Sequence, residues 1–422
     1  MEKLKNLLQV YWEKEILQLA IIFLAPLLLY LFSSSGVAFI LFLTSFLVLY
    51  LSKRLNTKVK LVIAIVDLMV IMPLVGFANT YYLDVITQIG IYVVLAIGLN
   101  IVVGFTGLLN LGYVGFYAVG AYTYAIFATA QANNFITSSI LQFPVSGNWF
   151  WMFLVIGMIA AGFVGFLLGL PVLRLRGDYL AIVTLGFAEI IRIVLNNLDK
   201  PINFTNGPKG LSPIKPPAFF GIPLNKTIHY YFIVLILLVI TVIVVNRLNN
   251  SRIGRAWTAI REDELAARTM GIPIVPMKLL AFSIGAAFAG MMGVLFAAKQ
   301  SFIDPSSFGF MESIGILAMV IMGGMGNIAG AIIGAFAVVV LQLHILKELS
   351  NFLRGLTVAG IVSISPQLDP AKYERLVFGL ILVLMCIFRP QGFLPAKRTM
   401  AYIKKQVNKL KKIEKEEDVS VE

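Results

Sequence analysis

Long apolar runs separated by short polar connections set the rhythm of the chain. They fall at about 16–32, 36–52, 60–78, 85–104, 108–131, 150–173, 178–197, 230–246, 277–298, 308–323, 328–346 and 375–389. A helix needs about 20 mostly apolar residues to cross a bilayer, and several of these runs are short or broken by glycine. The pattern therefore predicts an all-α, polytopic transmembrane helical bundle of about ten to twelve spans, re-entrant segments included. Composition agrees: the 422 residues are 59% hydrophobic and 13% charged, with a mean hydropathy of +0.90, more apolar surface than a soluble core hides.

The net charge of +13 would suggest nucleic acid in a soluble protein, but here the basic residues lie between apolar runs and in the tail. They read as topology determinants beside anionic lipid headgroups, with no nucleic-acid partner. Lys3 and Lys5, then Lys53, Arg54 and Lys58, then Arg174 and Arg176, then Arg247 through Lys278, and the tail beyond Arg389 can all share one side. That side is the cytoplasm, which places both termini there. The connection 132–149 is uncharged and faces out, as does the 198–228 connection, whose "PINFTNGPKGLSPIKPP" is too rich in proline, glycine and asparagine for a helix. The N-terminal stretch has no short apolar region followed by a cleavage site and reads as a retained helix. Residues 395–422 form a basic cytoplasmic tail.

Two apolar segments are rich in glycine. In "GLNIVVGFTGLLNLGYVGFYAVGAY" Gly104, Gly107, Gly112, Gly115 and Gly120 recur every three to five residues, and "MGGMGNIAGAIIGA" (322–335) repeats the theme, with Asn327 echoing Asn110. Small residues let helices approach closely in lipid, and glycine lets a helix break where it lines a cavity. Asn100, Asn110, Tyr113 and Asn327 are the candidate polar lining of a translocation path. Charges within spans are the other candidates: Asp67, read as a packing residue, and Glu189 with Arg192, three apart and able to pair. His229 and His344 are far apart and Cys386 is the only cysteine, so no metal site is expected.

The most informative polar stretch is "RLNNSRIGRAWTAIREDELAARTMGIPIVPMK", residues 247–278. Good helix formers from Ala256 to Met270, a Glu264–Arg268 pair at i,i+4, and Gly271 followed by Pro273 predict a short helix across the membrane face. Its "IREDELAARTMGI" resembles the E-x-A-A-x-x-x-G pattern of the cytoplasmic coupling loop in permease subunits of bacterial ABC importers. With "LRLRGDYLAIVTLGFAEIIRIVLNN", "TNGPKGL", "GILAMVIMGGMGNIAGAIIGA", "FRPQGF" and the first glycine-rich segment, the chain is similar to the LivM-type permeases of branched-chain amino acid importers over about Asp84 to Leu394.

That resemblance implies an N-terminal transmembrane extension (1–83), a permease domain (84–394) and Arg255, Arg261, Glu262, Asp263, Glu264, Ala267 and Gly271 as ATPase-docking positions. It implies a second homologous permease subunit, two cytoplasmic ABC ATPase subunits and a periplasmic substrate-binding protein as partners, in the inner membrane of a bacterial cell. This chain would hold no cofactor and catalyse nothing; ATP would be used by the ATPases. Leucine, isoleucine and valine are the implied cargo, with urea or short amides as the alternative within the family. An ion-coupled carrier fits less well, because intramembrane carboxylates are scarce. A channel or membrane enzyme lacks a supporting motif, and no P-loop is present.

Overall fold

The computed structural model describes residues 22, 24–30, 36–52, 56–136, 143–172, 175, 177–358, 370–389 and 391–394. Most of the first apolar run, the basic positions Lys3, Lys5, Lys53, Arg54, Arg174 and Arg176, residues 359–369 of the connection before the last helix, and the tail 395–422 lie outside them. In chain order the helices are α1 (Gly36–Leu51), α2 (Lys58–Ala78), α3 (Thr80–Phe105), α4 (Tyr113–Ala125), α5 (Phe150–Val172), α6 (Asp178–Asn197) and α7 (Thr227–Asn249). They continue as α8 (Arg252–Glu262), α9 (Glu264–Thr269), α10 (Ile274–Gln300), α11 (Phe310–Gly323), α12 (Ile328–Val340), α13 (Leu346–Val358) and α14 (Glu374–Phe388). Six stretches among the described residues are long and apolar enough to cross a membrane: α2, α3, Gly147–Val172, α7, α10 and Ile328–Asn351. The α11 helix and Leu376–Phe388 are apolar but shorter.

The chain divides into two compact units. One comprises Met1–Gln88, Lys226–Val234 and Val340–Glu374. Its centre is aromatic: Phe39 stacks on Tyr82 with centroids 4.3 Å apart, and His344 stands edge-on to Phe39 with Nε2 3.1 Å from the Gly36 carbonyl. The helix α2 carries a π-helical turn at Asp67–Ile71, where the Tyr231 hydroxyl donates to the Leu68 carbonyl at 2.6 Å. Asp67 is buried there, while Leu61, Val62, Ile65, Met69 and Val70 point outward, an apolar exterior suited to lipid.

The other unit comprises Ile89–Asn225, Leu235–Val339 and Arg375–Glu422. Its hub is α10, whose most apolar window is 72% buried against 39% for that of Gly147–Val172, so α10 is packed by protein where α5 keeps a lipid face. Three helices meet at glycine. A Cβ on Gly120 of α4 would overlap the Gly290 backbone of α10, and one on Gly290 would overlap both the Gly157 carbonyl of α5 and the Ala161 side chain. This is the close backbone approach that the glycine spacing predicts. Aromatic clusters flank the crossing: Tyr124 stands edge-on to Phe150 and Phe153, and Tyr117 sits between Phe296 and Phe308.

The connection between α6 and α7 is ordered despite its composition. Leu211 bridges Ile303 by backbone hydrogen bonds, and a small hairpin pairs β1 (Ala218–Phe219) with β2 (Ile222–Pro223). The Trp151 indole donates to the Ala218 carbonyl at 3.0 Å, pinning the hairpin to the start of α5.

Replacing Gly290 by valine forces the α4–α10–α5 crossing apart, at about 1–3 kcal/mol by the usual cost of overpacking. The apparent melting temperature of the purified chain in mild detergent is expected to fall accordingly. Gly186→Ala is the control, because a Cβ there meets nothing within 4 Å; equal melting of the two variants would refute the packing role.

Candidate functional site

The polar segment 247–278 folds into two helices rather than the single one its composition predicts. Ser251 caps α8, its hydroxyl accepting from the Gly254 N–H at 3.3 Å. The chain then turns extended at Asp263, whose carboxylate accepts from the Leu265 and Ala266 N–H groups at 2.8 and 3.0 Å and starts α9. The break arises because an N-cap aspartate offers the backbone donors a better partner than a continued helix does. At the far end Gly271 has φ +80°, with Gly271 N–H bonded to the Arg268 carbonyl and Ile272 N–H to the Ala267 carbonyl. This is a Schellman stop, and its left-handed residue is why glycine stands there.

The pair of helices has its own anchors. Ile260, Ala267 and Ile274 form a buried cluster, joined by Ala259, Ile272 and Met277. Trp257 is fully buried and donates its indole N–H to the Met277 carbonyl at 2.7 Å. Glu264 does not take the i,i+4 partner that spacing predicts. It reaches Lys278 at 2.9 Å instead, because the Lys278 ammonium is buried at the foot of α10 and needs a counter-charge more than exposed Arg268 does.

Of the positions expected to dock a partner, Arg255, Glu262, Asp263 and Gly271 are exposed, Ala267 is buried, and Arg261 and Glu264 are half-buried. Arg261 turns inward, its Nη1 donating to the Gly104 carbonyl at 2.5 Å. The outward face also carries two bare apolar side chains, Leu265 at 74% and Met270 at 82% exposure.

The candidate path residues gather around the two glycine-rich segments. Asn100 is fully buried; its Oδ1 accepts from the Gly326 N–H at 2.9 Å and its Nδ2 donates to the Asn327 carbonyl at 3.3 Å. Tyr113, also fully buried, donates to the Gly285 carbonyl at 3.0 Å. Asn110 and Asn327 do the same local job: each carboxamide oxygen accepts an N–H two residues ahead, at Gly112 (2.9 Å) and Ala329 (3.1 Å), at the start of α4 and α12. They differ in the amide. That of Asn327 donates to the Leu394 carbonyl at 3.1 Å, whereas the buried Nδ2 of Asn110 has no partner among the described residues. It borders a cleft of about 210 Å³, open space included, lined by Gly112, Phe116, Leu168, Val172, Thr184, Phe187 and Phe282.

Glu189 and Arg192 form the pair their spacing predicts, Nε to Oε2 2.7 Å, on a half-exposed face of α6. Sequence reasoning missed Glu312, a carboxylate in the apolar run 308–323 that accepts from the Tyr92 hydroxyl. It also missed Trp257 and Lys278. A carboxylate inside an apolar run, and a lone tryptophan inside a polar one, were the signals available.

Membrane helices that cross at glycine, break at a second set of glycines and carry a self-supported polar helix pair make up the architecture of a transport permease. The family described as "Branched-chain amino acid transport system / permease component" matches residues 81–386, and the chain belongs to it. It is 41% identical over 344 residues to the high-affinity branched-chain amino acid transport system permease protein LivM of Escherichia coli strain K12, covering 76% of this chain and 72% of that one. The probable LivM protein of Methanocaldococcus jannaschii is 26% identical, over 75% of this chain and 94% of its own length. The LivH permease of Escherichia coli strain K12 is 23% identical, over 72% and 91%. No solved structure matches. The chain is thus a multi-pass membrane permease component of an ABC transport system, a transport subunit and not an enzyme.

Asp263→Ala removes both capping bonds of α9 and is expected to cost that helix about 1 kcal/mol. Amide exchange across 264–270 should then quicken about fivefold, with Asp263→Ser close to the parent; unchanged exchange in the alanine variant would show that α9 does not depend on its cap.

Proposed function

We propose that this permease moves branched-chain amino acids, leucine, isoleucine and valine, across the bacterial inner membrane by alternating access. The observation that carries this reading is the outward face of the α8–α9 pair. Arg255, Glu262, Asp263, Leu265 and Met270 stand exposed on a scaffold fixed from behind by Trp257, Ala267 and Lys278. Apolar side chains held out from a rigid polar platform suit a protein groove rather than headgroups. The cargo is supported by the relatives at 41% and 26% identity, both named for branched-chain amino acid transport.

The partners are two cytoplasmic ATPases, on which α8–α9 docks, a second permease of LivH type, and a periplasmic protein that delivers substrate. This chain binds no cofactor; ATP is consumed by the ATPases. Residues 84–394 act as the permease domain, in line with the family match over 81–386, with 1–83 as a transmembrane extension and 395–422 as a cytoplasmic tail. The lysine and arginine distribution supports cytoplasmic N- and C-termini.

The test is reconstitution of the chain with its co-encoded permease and ATPases in liposomes, with the co-encoded binding protein added outside. Leucine uptake that requires ATP and the binding protein is the expected result. Uptake of urea in place of leucine would overturn the cargo, and leucine uptake driven by an ion gradient without the ATPases would overturn the mechanism.

A further inference from the structure

Arg261 is built into the permease rather than onto its surface. It lies in the last turn of α8, next to exposed Glu262, yet its guanidinium reaches the Gly104 carbonyl and its stem lies against Gly107, where a Cβ would stand 3.2 Å from the arginine Cγ. Gly104 belongs to the π-helical turn Ile101–Phe105 that ends α3. Carbonyls in the last turn of a helix lack a helical donor and sit at the negative end of its dipole, so a guanidinium there makes a charge-assisted bond.

The same place joins the second glycine-rich segment. Gly326 has φ +82° and its N–H is held by Asn100, one turn before Gly104. A Cβ on Gly326 would fall 2.5 Å from the Arg261 Nη1, and one on Gly104 would strike both Asn100 Oδ1 and the Gly326 nitrogen. Glycine at both positions lets a single guanidinium sit where the two breaks meet. The second break is itself tied down, because Phe393 and Leu394 N–H groups bond the Met322 and Gly323 carbonyls at 2.8 and 3.0 Å.

We propose that Arg261 is a positioning residue for transport: it fastens the α8–α9 pair to the first glycine break and packs against the second, which Asn100 ties to the first, so that displacement of the pair moves α3 and the start of α12 together. This reassigns Arg261 from the docking face to the joint behind it. The proposal rests on the ATP-driven reading above and names the residue through which the drive passes inward.

The experiment uses the complete reconstituted transporter and reads leucine moved per ATP hydrolysed, a ratio that loss of folded protein alone does not change. Arg261→Gln keeps polarity but loses the charged fork. Its transport is expected to fall about tenfold while ATP hydrolysis stays within about twofold, the scale on which single substitutions alter coupling. Arg261→Lys, which keeps the stem on Gly107 and one charged donor, should recover part of the ratio; it is also the variant to read if Arg261→Gln fails to assemble. A parallel fall of transport and hydrolysis with the ATPase lost on purification would return Arg261 to the docking face. An unchanged ratio in both variants would overturn the proposal outright. Absence of ATP-dependent uptake with wild-type Arg261 would instead refute the proposed function.

Discussion

The structure of the larger unit depends on one constraint, the approach of backbone to backbone where α4, α10 and α5 cross. In lipid, burying leucine against leucine gains little over burying it against acyl chains, so helices are held by dispersion at short range and by the few polar contacts that short range allows. Gly120, Gly157 and Gly290 set that range because a Cβ on any of them would overlap a neighbouring helix of the crossing. Once α10 is seated there, its neighbours follow: Tyr113 reaches the Gly285 carbonyl and Tyr117 finds Phe296 and Phe308.

A second set of glycines does different work. Around Gly104 and Gly326 the helices end, and the freed backbone groups are met by side chains of fixed identity, Asn100 and Arg261. An unmet carbonyl or N–H at this depth would cost several kcal/mol. Hydrogen bonds of this kind can be exchanged for others in a different arrangement, which tight van der Waals crossings cannot. Tight crossings and hydrogen-bonded breaks are thus built from the same residue type.

Much of this was legible in the chain. Apolar runs announced a helical membrane bundle, although six stretches among the described residues are long and apolar enough to span against the ten to twelve expected, because glycine breaks leave several runs as shorter helices; the spacing of glycines in 104–120 announced a close crossing, a property of local pattern. The Glu189–Arg192 pair was readable for the same reason, being one helical turn long. What escaped were bonds between distant segments. Glu264 chose Lys278, fourteen residues away, over the nearer Arg268, and Arg261 chose a carbonyl more than a hundred residues back in the chain. Local spacing names the partners within a helix; burial decides which of them wins.

The coupling-loop pattern illustrates the difference between a signature and a surface. In E-x-A-A-x-x-x-G three of the four fixed letters have structural work: Glu264 pairs with Lys278, Ala267 lies in the small core with Ile260 and Ile274, and Gly271 makes the left-handed stop. The larger side chains offered outward are Leu265, Arg268, Thr269 and Met270, the positions the pattern leaves open, with the small fixed Ala266 exposed among them. A signature of this kind therefore encodes the shape of the helix pair, which on the reading proposed above is the docking element. On that reading the open positions, and not the fixed letters, supply most of the surface a partner would meet.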